Sequence, residues 1–206
     1  MSKLLVLVAN PSKTSIGTVV GNAFIDKYKE LNSGHTVTYL NLFDIYVPEL
    51  NAYTLSAWDS LDKGTPFNEL SEVQQKQLKA SEELLNQFLN YDKYLLLSPL
   101  WNSNIPARLH SYLDILCVPQ KTFKYTEKGA QGLINGKKAL HIHAAGKIYN
   151  QGEISYPSAI VKEVFNLIGI IDFYDVLVHG QQQERNRQDE IRLNAIKDVE
   201  KIAMEF

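Results

Sequence analysis

Five short apolar runs, at positions 4–8, 36–40, 94–98, 139–143 and 173–178, stand out from the rest of the chain. They show little of the in-out alternation of a half-exposed strand. Near-continuous apolar strands are what a parallel sheet covered on both faces requires. Between them the apolar positions recur at helical spacing. Val19, Val20, Ala23, Phe24 and Tyr28 form one stripe, and Leu70, Val73, Gln77, Leu84, Leu85 and Phe88 line a long polar helix starting near Asn68. Ile105, Leu109, Tyr112, Leu113 and Leu116 form a third stripe, and Ile160, Val161, Val164, Phe165 and Ile168 a fourth. Ile191, Ala195, Ile196, Val199 and Ile202 mark a charged C-terminal helix. Strict alternation of strand and helix predicts a doubly wound α/β fold. For five parallel strands the order 2-1-3-4-5 follows, with a ligand at the carboxyl ends of the strands beside the first. The connections 44–67 and 119–137 are long for such a fold, and loops of that length are usually functional or interface segments.

Composition narrows the partners. The 206 residues suit a single domain over 1–206, with no internal repeat. A net charge of −2 gives no reason to expect nucleic acid or an anionic membrane as partner. The only cysteine, Cys117, excludes an internal disulfide and a multi-cysteine metal site and fits a reduced, cytoplasmic compartment. No apolar run approaches the roughly 20 residues of a membrane span. Met1-Ser2-Lys3 runs straight into the first strand, so no secretion signal is expected.

Three strand ends carry candidate chemistry. After the first strand come Asn10-Pro11-Ser12-Lys13-Thr14-Ser15-Ile16-Gly17-Thr18. Hydroxyls and free amides at a helix N-terminus suit a phosphate, and an ordinary N-cap at Ser15 or Thr14 is the alternative. The segment is neither a GxGxxG nor a Walker A loop. After the third strand, Pro99-Leu100-Trp101-Asn102-Ser103 offers an aromatic ring and exposed amides that could line a flat ligand; a strand-to-helix loop with a core tryptophan is the alternative. After the fourth, Ala144-Ala145-Gly146-Lys147 would let a planar ligand approach the backbone. The order 2-1-3-4-5 makes these three strands neighbours.

At these residues the chain resembles the FMN-dependent NADH:quinone oxidoreductases, also called FMN-dependent NADH-azoreductases. Pro99-Leu100-Trp101-Asn102-Ser103 is similar to the family's Pro-Met-Tyr/Trp-Asn-Phe flavin loop. Thr122-Phe123-Lys124-Tyr125-Thr126-Glu127-Lys128-Gly129, then Gly132-Leu133 and Gly136-Lys137-Lys138-Ala139, resembles its TFxYTExG…GL…GKKA segment. The resemblance runs from residue 2 to about 181 and implies a flavodoxin-like homodimer with one noncovalent FMN per subunit near the interface. It implies that Asn10, Ser15, Ile16, Gly17 and Thr18 hold the phosphate. Pro99, Leu100, Trp101, Asn102 and Ser103 would pack on the isoalloxazine, with Ala144, Ala145, Gly146 and Lys147 as the third loop. Tyr125 matches an aromatic residue lying over the flavin pocket, and Tyr125 and Asn102 are the residues expected nearest the chemistry. The implied reaction is ping-pong: hydride passes from NADH or NADPH to the flavin, then two electrons to a quinone or azo compound. Ala-Ala-Gly-Lys departs from the family's Ser-Arg-Gly-Gly, and Ser103 stands where a Phe is common.

Other residues read as structural. His141 and His143 are two apart on a strand, but no carboxylate or cysteine lies near them in the sequence, so no metal site is expected. His179 reaches the pocket rim or caps a turn, Cys117 is a small buried hydrophobe, and Gln181-Gln182-Gln183-Glu184-Arg185 is a solvated helix start. Two other functions fit the fold: a flavodoxin-like electron-transfer protein serving a partner protein, and a regulatory module of CheY type. The first would carry more negative charge than −2. The second would need acidic residues after the first strand.

Overall fold

A computed structural model of the chain describes residues 1–149 and 156–206. The elements run β1 (Lys3–Val8), α1 (Ile16–Leu31), β2 (Thr36–Asn41), α2 (Ala52–Asp62), α3 (Glu72–Leu89), β3 (Lys93–Pro99) and α4 (Ala107–Leu116). They continue with β4 (Phe123–Thr126), β5 (Gly129–Gly132), β6 (Lys138–Ala145), α5 (Tyr156–Ile168), β7 (Asp172–His179) and α6 (Gln188–Glu205). The main sheet is parallel, in the order β2-β1-β3-β6-β7. It is the flavodoxin-like order expected from the apolar runs, with β6 and β7 as the fourth and fifth strands.

Successive side chains of a strand point to opposite faces, and the apolar runs feed two cores. Leu4, Val6, Leu95, Leu97, Leu140 and Ile142 meet α1 and α6 through Val20, Phe24, Tyr28, Val199 and Phe206. Leu5, Leu7, Tyr94, Leu96 and Ala139 meet α3, α4 and α5 through Leu85, Phe88, Tyr112, Leu116, Val161 and Phe165. Phe88 stacks on Tyr94 at 4.0 Å, with Phe165 edge-on to both. Burial on both faces is why the strands do not alternate.

The two long connections have structure of their own. Within 44–67, α2 begins where the Asn51 side chain accepts the N–H groups of Tyr53 and Thr54. The long helix α3 starts later than expected. A 3-10 turn occupies Phe67–Glu69, and a Ser71–Gln74 capping box opens the helix at Glu72. Within 119–137, β4 and β5 form an antiparallel hairpin. Gly132 rests on the backbone that ends α5: a Cβ there would lie 2.2 Å from the Gly169 nitrogen. Gly169 has a φ of +104°, the left-handed region that favours glycine. The pair anchors the hairpin at the end of α5 that leads into the amino end of β7.

Candidate functional site

Three loops meet at the carboxyl ends of β1, β3 and β6. In the first, Ser15 caps α1, its hydroxyl accepting the Thr18 N–H at 3.2 Å. Asn10 Nδ2 donates to the same hydroxyl at 2.8 Å, and the Thr18 hydroxyl lies 2.9 Å from it. Asn10 Oδ1 in turn accepts the Ser12 N–H, and Thr18 donates to the Ser12 carbonyl. Asn10, Ser15 and Thr18 therefore fix one another, and the capping residue is Ser15 rather than Thr14. The cap leaves the N–H groups of Ile16 and Gly17 without intrahelical acceptors. With no acidic residue in the first turn of α1, the positive end of the helix dipole is open to an anion.

The second loop begins at Pro99, which pairs with Ala144. Leu100 N–H donates to the Ala144 carbonyl at 2.7 Å, tying the second loop to the third. Trp101 and Asn104 then exchange backbone hydrogen bonds of 2.9 and 3.0 Å around Asn102 and Ser103. Those two residues have φ of 51° and 62°, unusual for side-chain-bearing residues and found where a surrounding site over-determines the backbone. The indole of Trp101 is 42% exposed and touches Phe43 edge-on at 6.0 Å, so it is not a core tryptophan. The Arg108 guanidinium sits over Phe43 and donates to the Leu42 and Ile45 carbonyls, bracing that edge.

In the third loop Ala144 and Ala145 close β6, and Gly146 and Lys147 turn away. Ala144 also faces Gly17: a Cβ on that glycine would sit 3.5 Å from the Ala144 Cβ. The Gly146 carbonyl accepts the N–H groups of Gln182 and Gln183, and Gly180 donates to the Lys147 carbonyl. Gln183 Oε1 accepts the Ile148 N–H, and His179 Nδ1 accepts the Tyr149 N–H. A Cβ on Gly146 would come within 2.8 Å of the Gln182 side chain. The glutamine run is thus not the start of a solvated helix. It is the brace of the third loop, and α6 begins after a 3-10 turn at Arg185–Arg187. The Lys147 ammonium lies over the Tyr149 ring, 5.4 Å from its centroid.

Among the described residues Tyr125 makes no hydrogen bond or ring contact with these loops. It is 74% exposed on β4, of the hairpin anchored beside the amino end of β7, where its ring meets Phe123 edge-on. Cys117 is half-buried, and burial pushes its thiol up to about 11.

His141 and His143 are buried, as a structural role would have it, but the premise that no carboxylate accompanies them fails. The sheet register brings Asp175 across from His141, a neighbour on β7 that local sequence cannot reveal. His143 Nε2 lies 3.3 Å from Asp175 Oδ2, and His141 Nε2 lies 2.9 Å from the Ser98 hydroxyl. Burial, reinforced by His143 and opposed by Asp175, holds His141 down to about 3. Burial alone would raise Asp175, but bonding to His143 and Ser158 and the charge of the histidines keep it below the usual carboxylate range.

A family described by its flavodoxin-like fold matches residues 2–202. The chain is 36% identical over 211 residues to the FMN-dependent NADH:quinone oxidoreductase of Geobacillus kaustophilus, all of both chains being covered. The chain belongs to the flavodoxin-like FMN-dependent NADH:quinone oxidoreductase family. A Staphylococcus carnosus protein of the same name is 35% identical, again over the full length of both. Among solved structures, an azoreductase from Bacillus anthracis matches with a TM-score of 0.91 at 31% identity, covering both chains fully. An FMN-dependent NADH-azoreductase from the same species, in complex with FMN, matches with a TM-score of 0.89 at 34% identity, covering 100% of this chain and 99% of that one. As a member of this oxidoreductase family the chain is an enzyme. No helix among the described residues is long and apolar enough to cross a membrane.

Proposed function

We propose that this chain binds one FMN noncovalently across the three loops and uses it to pass hydride from NADH or NADPH to quinones and azo compounds in ping-pong fashion. The observation that carries the reading is the meeting of an anion-ready helix end, an exposed tryptophan edge and a small-residue loop around Ala144, hydrogen-bonded to Leu100 and apposed to Gly17. The full-length relatives named for FMN and NADH support it.

The residues fit the group. Ile16 and Gly17 N–H groups and the Asn10–Ser15–Thr18 hydroxyl cluster would hold the phosphate. Pro99, Leu100, Trp101, Asn102 and Ser103 would flank the ring. Ala144, Ala145 and Gly146 would let it lie close to the backbone, and Lys147 would add positive charge nearby. When bound, the flavin supplies the two-electron chemistry, which frees every side chain from acting as a nucleophile. The task of this chain is to orient the ring and to place amides, such as those near Asn102 and Gly146, where negative charge develops. Tyr125 would be a proton donor or a cover for the substrate. Its exposure on the hairpin, with Phe123 as its ring contact, would suit a homodimer in which Tyr125 serves the pocket of the second copy. The single domain would work in the reduced cytoplasm, in keeping with one cysteine.

The test is an absorbance spectrum of the purified protein, followed by anaerobic NADH or NADPH and then a quinone. Flavin peaks that bleach with the nicotinamide and return with the quinone are the expected result. A flavin bound but not reduced by either nucleotide would favour the electron-transfer protein. No flavin uptake from excess FMN would overturn the assignment of the loops.

A further inference from the structure

The sheet face beneath α5 holds a group that flavin chemistry leaves unused. His141 and His143 leave β6 on one side with their rings nearly parallel, 4.8 Å between centroids. Asp175 Oδ1 lies 3.2 Å from His143 Nε2 and 3.7 Å from His141 Nδ1. One ligating atom from each residue, all three together, fall within 4.8 Å of one another.

Ordinary packing does not account for this cluster. His141 is fully buried, and its Nδ1 has no hydrogen-bond partner among the described residues. A buried nitrogen left unpaired is costly and calls for an explanation. Both tautomers of His141 are unsatisfactory as they stand. With the proton on Nε2, bonded to the Ser98 hydroxyl at 2.9 Å, the Nδ1 lone pair faces a carboxylate. With the proton on Nδ1, 3.7 Å to that carboxylate is too far for a hydrogen bond.

A cation between the two resolves the conflict. A tetrahedral ion with bonds of about 2.0–2.1 Å sets its ligand atoms roughly 3.4 Å apart; the two distances to Asp175 bracket that spacing, and a turn of the stacked imidazoles toward the carboxylate is what would close the 4.8 Å span of the three donors on one ion. Two histidines at i and i+2 on one strand with a third ligand from the next strand give a three-cornered donor set with a position left for water. The bond from His141 to Ser98 is the outer partner that orients a ligating imidazole. Asp175, partly open to solvent, provides the way in. Two imidazoles and a single carboxylate suit a zinc-like ion rather than magnesium or calcium, which take mainly oxygen ligands.

We propose that His141 Nδ1, His143 Nε2 and an Asp175 carboxylate oxygen form a binding site for one zinc-like divalent ion, clasping β6 to β7 beneath the third loop. None of the three residues belongs to the proposed flavin loops, so this site stands or falls apart from that reading.

The test is equilibrium dialysis of the FMN-loaded protein, first stripped with a chelator, against Zn²⁺, with Co²⁺ spectra as a report of coordination. One Zn²⁺ per chain is expected, with a rise in melting temperature. His143→Gln and Asp175→Asn are each expected to weaken uptake by at least about 100-fold, the upper end of the roughly 10–100-fold that loss of a mere outer partner costs. His110→Gln, outside the cluster, should leave it unchanged. The metal-dependent rise in wild-type melting temperature keeps the test decisive even where a variant folds poorly. Failure of the wild type to take up stoichiometric Zn²⁺, or equal uptake by H143Q and D175N, would overturn the proposal. Flavin absorbance recorded in the same samples reports the flavin reading separately.

Discussion

Ser15 holds two jobs at once, since one hydroxyl caps a helix and anchors a side-chain cluster. Replacing an N-cap serine by alanine costs typically about 1 kcal/mol. Ser15→Ala should therefore lower thermal stability modestly. It should also weaken FMN binding by about tenfold, a factor equivalent to about 1.4 kcal/mol, measured by flavin fluorescence on titration. Cys117 makes the opposite point. With its thiol pushed up to about 11, little thiolate is present at neutral pH. Iodoacetamide at pH 8 should modify it at least about tenfold more slowly than a free cysteine, and mass spectrometry of the intact chain would follow the rate. The places of Ser15, Trp101 and Gly146 at strand ends were legible, but each left two readings open, and it took the structure to choose Ser15 over Thr14 as the cap and to put Trp101 at an exposed edge. Asp175 was not legible: what matters about it is its neighbour across β6, and register is a property of two segments.

At the level of elements, the hairpin β4–β5 depends on two glycines in contact. Gly132→Ala would drive a methyl into the backbone of Ile168 and Gly169, and overpacking of this kind costs about 1–3 kcal/mol. A denaturation midpoint shifted downward at constant slope is the expected signature. The five sheet strands were legible because burial on both faces writes continuous apolar runs, and so were the stripes of α1, α4, α5 and α6. The hairpin was not, since Lys124, Tyr125, Ala130 and Gln131 face no core and show no apolar periodicity; Gly129, with a φ of +108°, was its only turn signal. Helix α2 was hidden likewise. Its Leu55, Tyr53 and Trp58 remain exposed, so no stripe announced it, and only Asn51 marked its start.

At the scale of the molecule, Asp92 stitches the amino ends of three strands. Its carboxylate accepts the Lys3 N–H at 2.8 Å, its own N–H donates to the Lys3 carbonyl, and its carbonyl accepts from Lys138. The Lys3 N–H bond is the main reason its carboxyl titrates below the ordinary 3.8. A carboxyl with a lowered folded value adds stability that is complete above its unfolded value. That stability is lost as the pH falls through the folded one. Asp92→Asn should therefore be less stable than wild type at pH 7, and the gap in melting temperature should close as the pH is taken below about 4. A gap independent of pH would remove the charge from the explanation.

The brace of the third loop has a consequence for how the protein is made. Gln182 and Gln183 reach Gly146 from beyond β7, so the loop is completed only after β7 has been translated. Strands β1, β2 and β3 lie together at one side of the sheet, whereas the third loop leaves β6 and is braced from beyond β7, and a domain generally folds as a unit. A chain stalled on the ribosome before residue 180 would carry the helix end and the tryptophan edge but lack the support of the third loop. On the proposed reading of the three loops, cofactor loading would then be a late event, and a chain cut before the brace would lack the complete pocket.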